Sequence, residues 1–448
     1  MTEAQQLMAD AKFYEAYARY NDSKQRYETW NEAVERVMSM HRAKYAAAAS
    51  PKLEALMDFA QDAYNKKQIL GAQRALQFGG PQILKKNAKL YNCTATYADR
   101  VEVFKETFWL MLCGCGVGFS VQHHHTAKLP DITSRTLEPI TFVIEDSIEG
   151  WADAIGALVS SFFIGNEFTG HPLYFDLSHI RPKGAEISGG FKAPGPDPLR
   201  KALDLTEARF KDALKTSTRL SNIDVYDIIM YIADAVIAGG VRRAATICMF
   251  SFDDDEMIKA KTGDWFVSQP QRGRSNNSAV LLRDKVTKEE FTSIMESVKH
   301  FGEPGFVWTD SLEILFNPCV EVGMQGYTVD GRSGYQMCNL TEINGAQSTT
   351  PELFYEQCKA AAILGTLQAG YTDFDYLSPA TKEIVEREAL IGVGITGWMN
   401  NPDTLFDTEV QRKGAEVVKK WNKIVAELVG INQAARTTVV KPLTDLAA

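Results

Sequence analysis

Asn317-Pro318-Cys319-Val320-Glu321 places an amide, a thiol and a carboxylate within five residues. A proline at the second position pre-sets the backbone on a turn, so the flanking side chains converge on a ligand and not on a regular face. As bare chemistry this is a nucleophilic or redox cysteine beside a carboxylate base. The competing reading is a structural cysteine in a loop. A second cysteine follows nineteen residues later in Met337-Cys338-Asn339-Leu340, and a third lies far upstream in Tyr91-Asn92-Cys93-Thr94.

Working outward, 448 residues suffice for one large domain or two to three ordinary ones. Hydrophobic content of 45% and charged content of 23% are those of a soluble globular protein. No apolar run reaches membrane-spanning length, and Met1-Thr2-Glu3-Ala4-Gln5 lacks a secretory pattern. A cytoplasmic location is expected, in the host if the protein is viral. Seven cysteines in such a chain are no disulfide framework, so any disulfide here is catalytic or transient. A formal net charge of −9 argues against nucleic acid as partner but not against small phosphorylated ligands.

Residues 3 to about 48 and 52–70 read as amphipathic helices. Gly79-Gly80-Pro81 breaks the pattern, and Leu90-Tyr91-Asn92-Cys93 reads as a strand. Residues 101–113 look helical and end in a glycine-rich turn, Cys113-Gly114-Cys115-Gly116-Val117-Gly118. Helices are predicted near 148–162 and over 222–238, a strand over Thr246-Ile247-Cys248-Met249-Phe250, and a polar loop over 269–278. The whole is α/β.

Two further patterns are weak. Gly392-Val393-Gly394-Ile395-Thr396-Gly397 fits GxGxxG, but a charged helix-like segment precedes it, and a tight packing turn is the better reading. His123-His124-His125 begins eight residues after Cys115 in a spacing that matches no zinc pattern, so an exposed loop is expected and no metal. Cys113, Cys248 and Cys358 read as buried, inert thiols.

Taken in order, Arg74-Ala75-Leu76-Gln77-Phe78-Gly79-Gly80-Pro81, Tyr91-Asn92-Cys93, Gly114-Cys115-Gly116-Val117-Gly118-Phe119-Ser120, Gly239-Gly240-Val241-Arg242-Arg243, Ser275-Asn276-Asn277-Ser278, the Cys319 segment and Met337-Cys338-Asn339-Leu340 closely resemble the catalytic subunit of ribonucleotide reductases over roughly residues 70–440. The resemblance implies a ten-stranded α/β barrel of two five-stranded halves, with a finger loop near 317–321, after an N-terminal helical region over 1–70. The barrel region, 71–448, is short at its C-terminal end, so its last strands are expected to be missing.

The resemblance also implies roles. Cys319 becomes a thiyl radical that abstracts the 3′ hydrogen of a ribonucleotide. Glu321 is the general base for the 3′-hydroxyl, Asn317 holds the ribose, and Cys93 with Cys338 forms the redox pair. Asn92 and Gly116 are expected to bind substrate. Asp99, His125, Gln271 and Arg272 are expected to bind a dNTP effector. The implied partners are a second copy of the chain and a thioredoxin- or glutaredoxin-like reductant. The radical source is a ferritin-like metal subunit or adenosylcobalamin. Compact reductases without a regulatory cone occur with metal subunits, which tilts the expectation that way. Glu321 argues against the glycyl-radical branch.

Two departures shape the expectations. No ATP-binding regulatory cone is visible before the barrel motifs. After Arg436-Thr437-Thr438-Val439-Val440-Lys441-Pro442 the chain reads Leu443-Thr444-Asp445-Leu446-Ala447-Ala448 where relatives continue into a phosphate-binding loop. A minimal enzyme, one part of a split enzyme and a truncated product all fit. The competing functional class is a non-catalytic nucleotide-binding fragment that needs a complementing chain. A third is a zinc protein built on Cys113, Cys115 and the histidines.

Overall fold

The computed structural model describes residues 3–187, 191–236 and 244–441. The segment Gly239 to Arg243 and the final Leu443 to Ala448 lie outside the described residues. No helix of the described residues is long and apolar enough to cross a membrane. The chain forms two compact units, residues 1–92 with 337–448, and residues 93–336.

The first unit is mostly helical. Its centre is the helix Pro351–Ala369, apolar around most of its circumference and buried accordingly. The helix Thr408–Val429 packs against it, and Gly414 permits the closeness: an added Cβ there would stand 2.5 Å from the Phe354 ring. The N-terminal helices Trp30–Lys44 and Pro51–Asn65 belong to the same unit. Tyr45 donates its hydroxyl to the Leu367 carbonyl at 2.5 Å, and the Ala72 amide donates to Gln368 at 2.8 Å. Residues far apart in sequence thus share one core. The strand Leu340–Asn344 runs parallel to Gly392–Thr396 and antiparallel to Ile69–Leu70.

That arrangement corrects the reading of Gly392 to Gly397. Gly392 and Gly394 do not form a turn but lie inside a strand, and Gly397, at φ +80°, turns the chain after it. Side chains at those positions would collide with Leu340 at 2.6 Å and with the Glu342 carboxylate at 2.8 Å. Close strand packing, and not a nucleotide, accounts for the pattern.

The second unit is built on five parallel strands: β1 (Cys93–Tyr97), β2 (Gly116–Ser120), β3 (Thr246–Ser251), β4 (Ser275–Leu282) and β5 (Gly305–Thr309). They pair in sequence order. Helix α1 (Val103–Leu112) connects β1 to β2. The short helix α2 (His123–Thr126) follows β2, and α3 (Ile148–Phe162), α4 (Asp197–Ala213) and α5 (Asn222–Ala235) precede β3. β1 and β2 are buried at every position, as expected of parallel strands covered on both faces. Two threonines in β1 are tolerated there because their hydroxyls are satisfied: Thr94 donates to the Gln336 carbonyl and Thr96 to the Gly334 carbonyl, each at 2.8 Å.

The α/β expectation holds. The largest described sheet counts six strands, these five and Gln336–Cys338, and the described sheets do not by themselves count out ten barrel strands. Two local expectations differ from the structure. The turn predicted over 113–118 becomes strand at Gly116. The loop predicted over 269–278 is a 3-10 turn, Pro270–Arg274, running straight into β4. In both cases parallel pairing to β3 overrides a polar or glycine-rich composition that propensity alone assigns to loops.

Candidate active site

The segment that carries Cys319 leaves the short strand β6 (Leu315–Phe316) and returns through β7 (Gly323–Met324), which pairs antiparallel with it. The connection is a tight loop. The Val320 amide donates to the Asn317 carbonyl at 2.8 Å. The Val322 amide donates to Asn317 Oδ1 at 3.1 Å, and Asn317 Nδ2 donates to Glu321 Oε2 at 2.6 Å. One fully buried amide therefore fixes both ends of the loop and orients the carboxylate. Val320 has φ +65°, a left-handed conformation that costs a β-branched residue about 1–3 kcal/mol. Strain of this kind, at the tip beside Cys319, persists only because the loop's hydrogen bonds over-determine it.

The loop lies directly on β2. A Cβ at Gly118 would overlap the Phe316 carbonyl oxygen, so only glycine fits there. A Cβ at Gly116 would stand 3.2 Å from Pro318 Cγ and 3.6 Å from Cys93 Sγ. Gly116 is the register partner of Cys93. The Cys93 thiol, the bare backbone of Gly116 and the ring of Pro318 thus face one another, with Asn317, Cys319 and Glu321 on the same loop. Asn276 Nδ2 reaches the Pro318 carbonyl from β4 at 3.5 Å, and the Phe316 amide rests on Met249 Sδ of β3. Among the seven cysteines Cys319 is exposed and the other six are buried. Cys338 ends the strand Gln336–Cys338, and Cys338 and Asn92 belong to the first unit.

The four effector candidates form two separate groups. The Asp99 carboxylate is buried and accepts from Ser333 Oγ at 2.7 Å and from the Tyr327 hydroxyl at 3.4 Å. Lys128 Nζ stands 3.7 Å from it, and 5.0 Å from the Tyr327 ring centre. Burial first, then Asp99, push the Tyr327 hydroxyl well above its ordinary value. Tyr97 stacks on Tyr327 at 4.2 Å and lies tilted against His125 at 4.5 Å, so Asp99 and His125 share one aromatic and charged cluster. His125 is fully buried, which corrects the exposed-loop reading of the histidines: α2 turns its ring inward onto Ser120. Burial, and then the neighbouring His124, lower its pKa to about 4. Sequence reasoning missed Glu313, Tyr327 and Ser333, which come from a segment some 190 residues or more downstream, with no motif to flag them.

Gln271 and Arg272 lie elsewhere, on the 3-10 turn against α5. Arg272 Nε and Nη2 grip the two oxygens of fully buried Asp227 at 2.8 and 2.7 Å, and Nη1 donates to the Ala260 carbonyl. That geometry is a bidentate structural pair. Arg272→Ala is expected to destabilise the fold. Stripping a buried ion pair of one partner costs about 3–5 kcal/mol. Here Arg209, 3.3 Å from Asp227, remains, which brings the expected loss to about 2 kcal/mol. A shift of the urea midpoint checks it.

No protein-family model matches the chain. An adenosylcobalamin-dependent ribonucleoside-triphosphate reductase of Lactobacillus acidophilus is 25% identical over 96% of this chain and 70% of its own length. An enzyme of the same description from Euglena gracilis is 24% identical over 97% of this chain and 62% of its own length. The chain is a relative of ribonucleotide reductase catalytic subunits. A solved B12-dependent, class II ribonucleotide reductase shares the fold, with a TM-score of 0.81 over 96% of this chain and 72% of that one, at 21% identity.

Proposed function

We propose that the chain reduces ribonucleotides to 2′-deoxyribonucleotides by thiyl-radical chemistry. The observation that carries this reading is the Asn317–Glu321 loop laid on β2 beside Cys93. It occurs in a chain similar over nearly its whole length to named reductases. Cys319 loses its thiol hydrogen atom, takes the 3′ hydrogen of the ribose, and returns it at the end. Glu321 accepts the proton of the 3′-hydroxyl, held in place by Asn317, which also bonds the ribose. The 2′-hydroxyl leaves as water. Cys93 and Cys338 supply the two electrons and two protons and finish as a disulfide, which a thioredoxin- or glutaredoxin-like protein reduces. Asn92 and Gly116 border the substrate.

The relatives' names favour adenosylcobalamin over a ferritin-like metal subunit, and a triphosphate over a diphosphate substrate. Bound adenosylcobalamin supplies the radical equivalent that turns a thiol into a thiyl. Cys319 is the thiol that fits this, being the cysteine open to a group delivered from outside. Asp99 and His125 in one patch, and Gln271 in the other, are the candidate contacts for a dNTP effector in a homodimer, Arg272 being committed to Asp227. A cytoplasmic setting suits reduced thiols.

The test is anaerobic reduction of a ribonucleoside triphosphate by the chain, with dithiothreitol, a dNTP and adenosylcobalamin. Deoxynucleotide supports the proposal. A folded sample that binds dNTP and forms no product supports instead a nucleotide-binding piece that needs a complementing chain. Glu321→Gln should keep an amide contact to Asn317 but remove the base, lowering kcat by about 10²–10⁴-fold with little change in KM.

A further inference from the structure

We propose that His124, His125 and Glu313 form a binding site for a divalent transition-metal ion of the zinc class. One ligand atom from each lies within 4.8 Å of the others. His124 Nε2 is 3.0 Å from Glu313 Oε1, and His125 Nε2 is 3.1 Å from Oε2. The two rings pack 3.9 Å apart between centres, so neighbouring residues of α2 aim both imidazoles at one carboxylate. Two imidazole nitrogens and a carboxylate oxygen suit zinc, iron or cobalt. They are a poor match for magnesium or calcium, which prefer oxygen.

The surroundings are those of a ligating histidine. The other ring nitrogen of His125 contacts Ser120 Oγ at 2.9 Å. A serine hydroxyl can accept from Nδ1–H and so free Nε2 for a metal, the usual outer support for such a ligand. Buried Gln122 donates its side-chain nitrogen to the same Ser120 hydroxyl, at 3.1 Å. Its amide oxygen has no hydrogen-bond partner among the described residues, and a cation nearby would stabilise that orphaned dipole. His123 is not part of the set, since it turns to Asn222 and Asp253. His124 and Glu313 are partly exposed, with side chains 37% and 38% accessible, which leaves an entry path.

The site has a structural consequence. Glu313 lies four residues before Asn317. The Glu313 carbonyl already accepts from the Tyr97 hydroxyl at 2.6 Å, and the Leu312 carbonyl from Gln122 at 2.9 Å. A metal on Glu313 would tie α2 to the root of the Cys319 loop. This inference does not depend on the reductase reading.

The experiment uses the full chain, stripped with a chelator and titrated with Zn²⁺ alone against a chromophoric competitor. Co²⁺ absorption spectra report the coordination. One equivalent should bind, and Zn²⁺ should raise the thermal midpoint. Glu313→Gln, nearly isosteric, and His124→Ala, at a partly exposed residue, should each lose at least about 100-fold in affinity, with far-UV circular dichroism unchanged. His300→Ala, at an exposed histidine, should bind as the parent does. Absence of stoichiometric binding overturns the proposal, as does parent-like affinity in either Glu313→Gln or His124→Ala.

Discussion

Cys319→Ser is expected to lower ribonucleotide reduction by at least about 10³-fold, with dNTP binding and the thermal midpoint unchanged. The two halves of this expectation rest on different features of the loop. Geometry should survive, because main-chain and Asn317 contacts hold the tip: Val320 to Asn317 at 2.8 Å, Val322 to Asn317 at 3.1 Å, and Asn317 to Glu321 at 2.6 Å. Cys319 is exposed, and an isosteric change at such a site is worth within about 0.5 kcal/mol. Chemistry should not survive, because a hydroxyl holds its hydrogen atom more tightly than a thiol does. Glu321 and the cysteine pair would still be in place, with no radical to set them to work. Product formation in the presence of dithiothreitol, radical source and effector is the measurement. Turnover by Cys319→Ser close to the parent rate would sink the thiyl reading outright. Glu321→Gln separates acid–base from radical failure, since its loss should be smaller and confined to kcat.

The parts of this site that were legible in the sequence are those whose chemistry is local. Asn317, Cys319 and Glu321 lie within one turn, so their proximity needs no tertiary information, and the structure shows the amide bonded to the carboxylate. Cys93 and Gly116 were legible as motif members, but their facing registers and the contact with Pro318 come only from parallel pairing of β1 with β2. The histidine cluster was not legible. His124 and His125 meet a carboxylate nearly 190 residues downstream, and spacing rules for metal sites assume ligands that are near in sequence. Arg272 was placed by analogy of loops, whereas its planar guanidinium is taken up by Asp227. The GxGxxG pattern misled for a related reason. Glycine is required both where the chain turns and where another element comes close, and one sequence cannot separate the two.

Gly118→Ala tests the close-approach reading directly, and it is expected to cost about 3 kcal/mol. The added methyl would overlap the Phe316 carbonyl oxygen and come within 3.1 Å of Ile247 Cγ2. Neither neighbour can give way cheaply. Phe316 is paired to Gly323 across the β6–β7 hairpin, and Gly118 is the register partner of Ile247 in β3. The first obstacle is main chain and cannot rotate aside as a flexible side chain would. Relief therefore has to come from lifting the loop off β2, which moves Asn317 and Cys319 with it. Loss of activity should exceed the loss of folded protein, because a displacement of about 1 Å at a reacting group costs on the order of 10²-fold in rate. Gly116→Ala provides the contrast. Its nearest atoms would be Pro318 Cγ at 3.2 Å and the Ala245 carbonyl at 3.3 Å, tight but open to adjustment, so its stability cost should be about 1 kcal/mol. The order of urea midpoints, parent above Gly116→Ala above Gly118→Ala, is the result that the packing of this loop requires. A Gly118→Ala protein that unfolds with the parent would mean that the loop does not rest on β2, and the site would lose the contact that sets the Pro318 end of the loop beside Cys93.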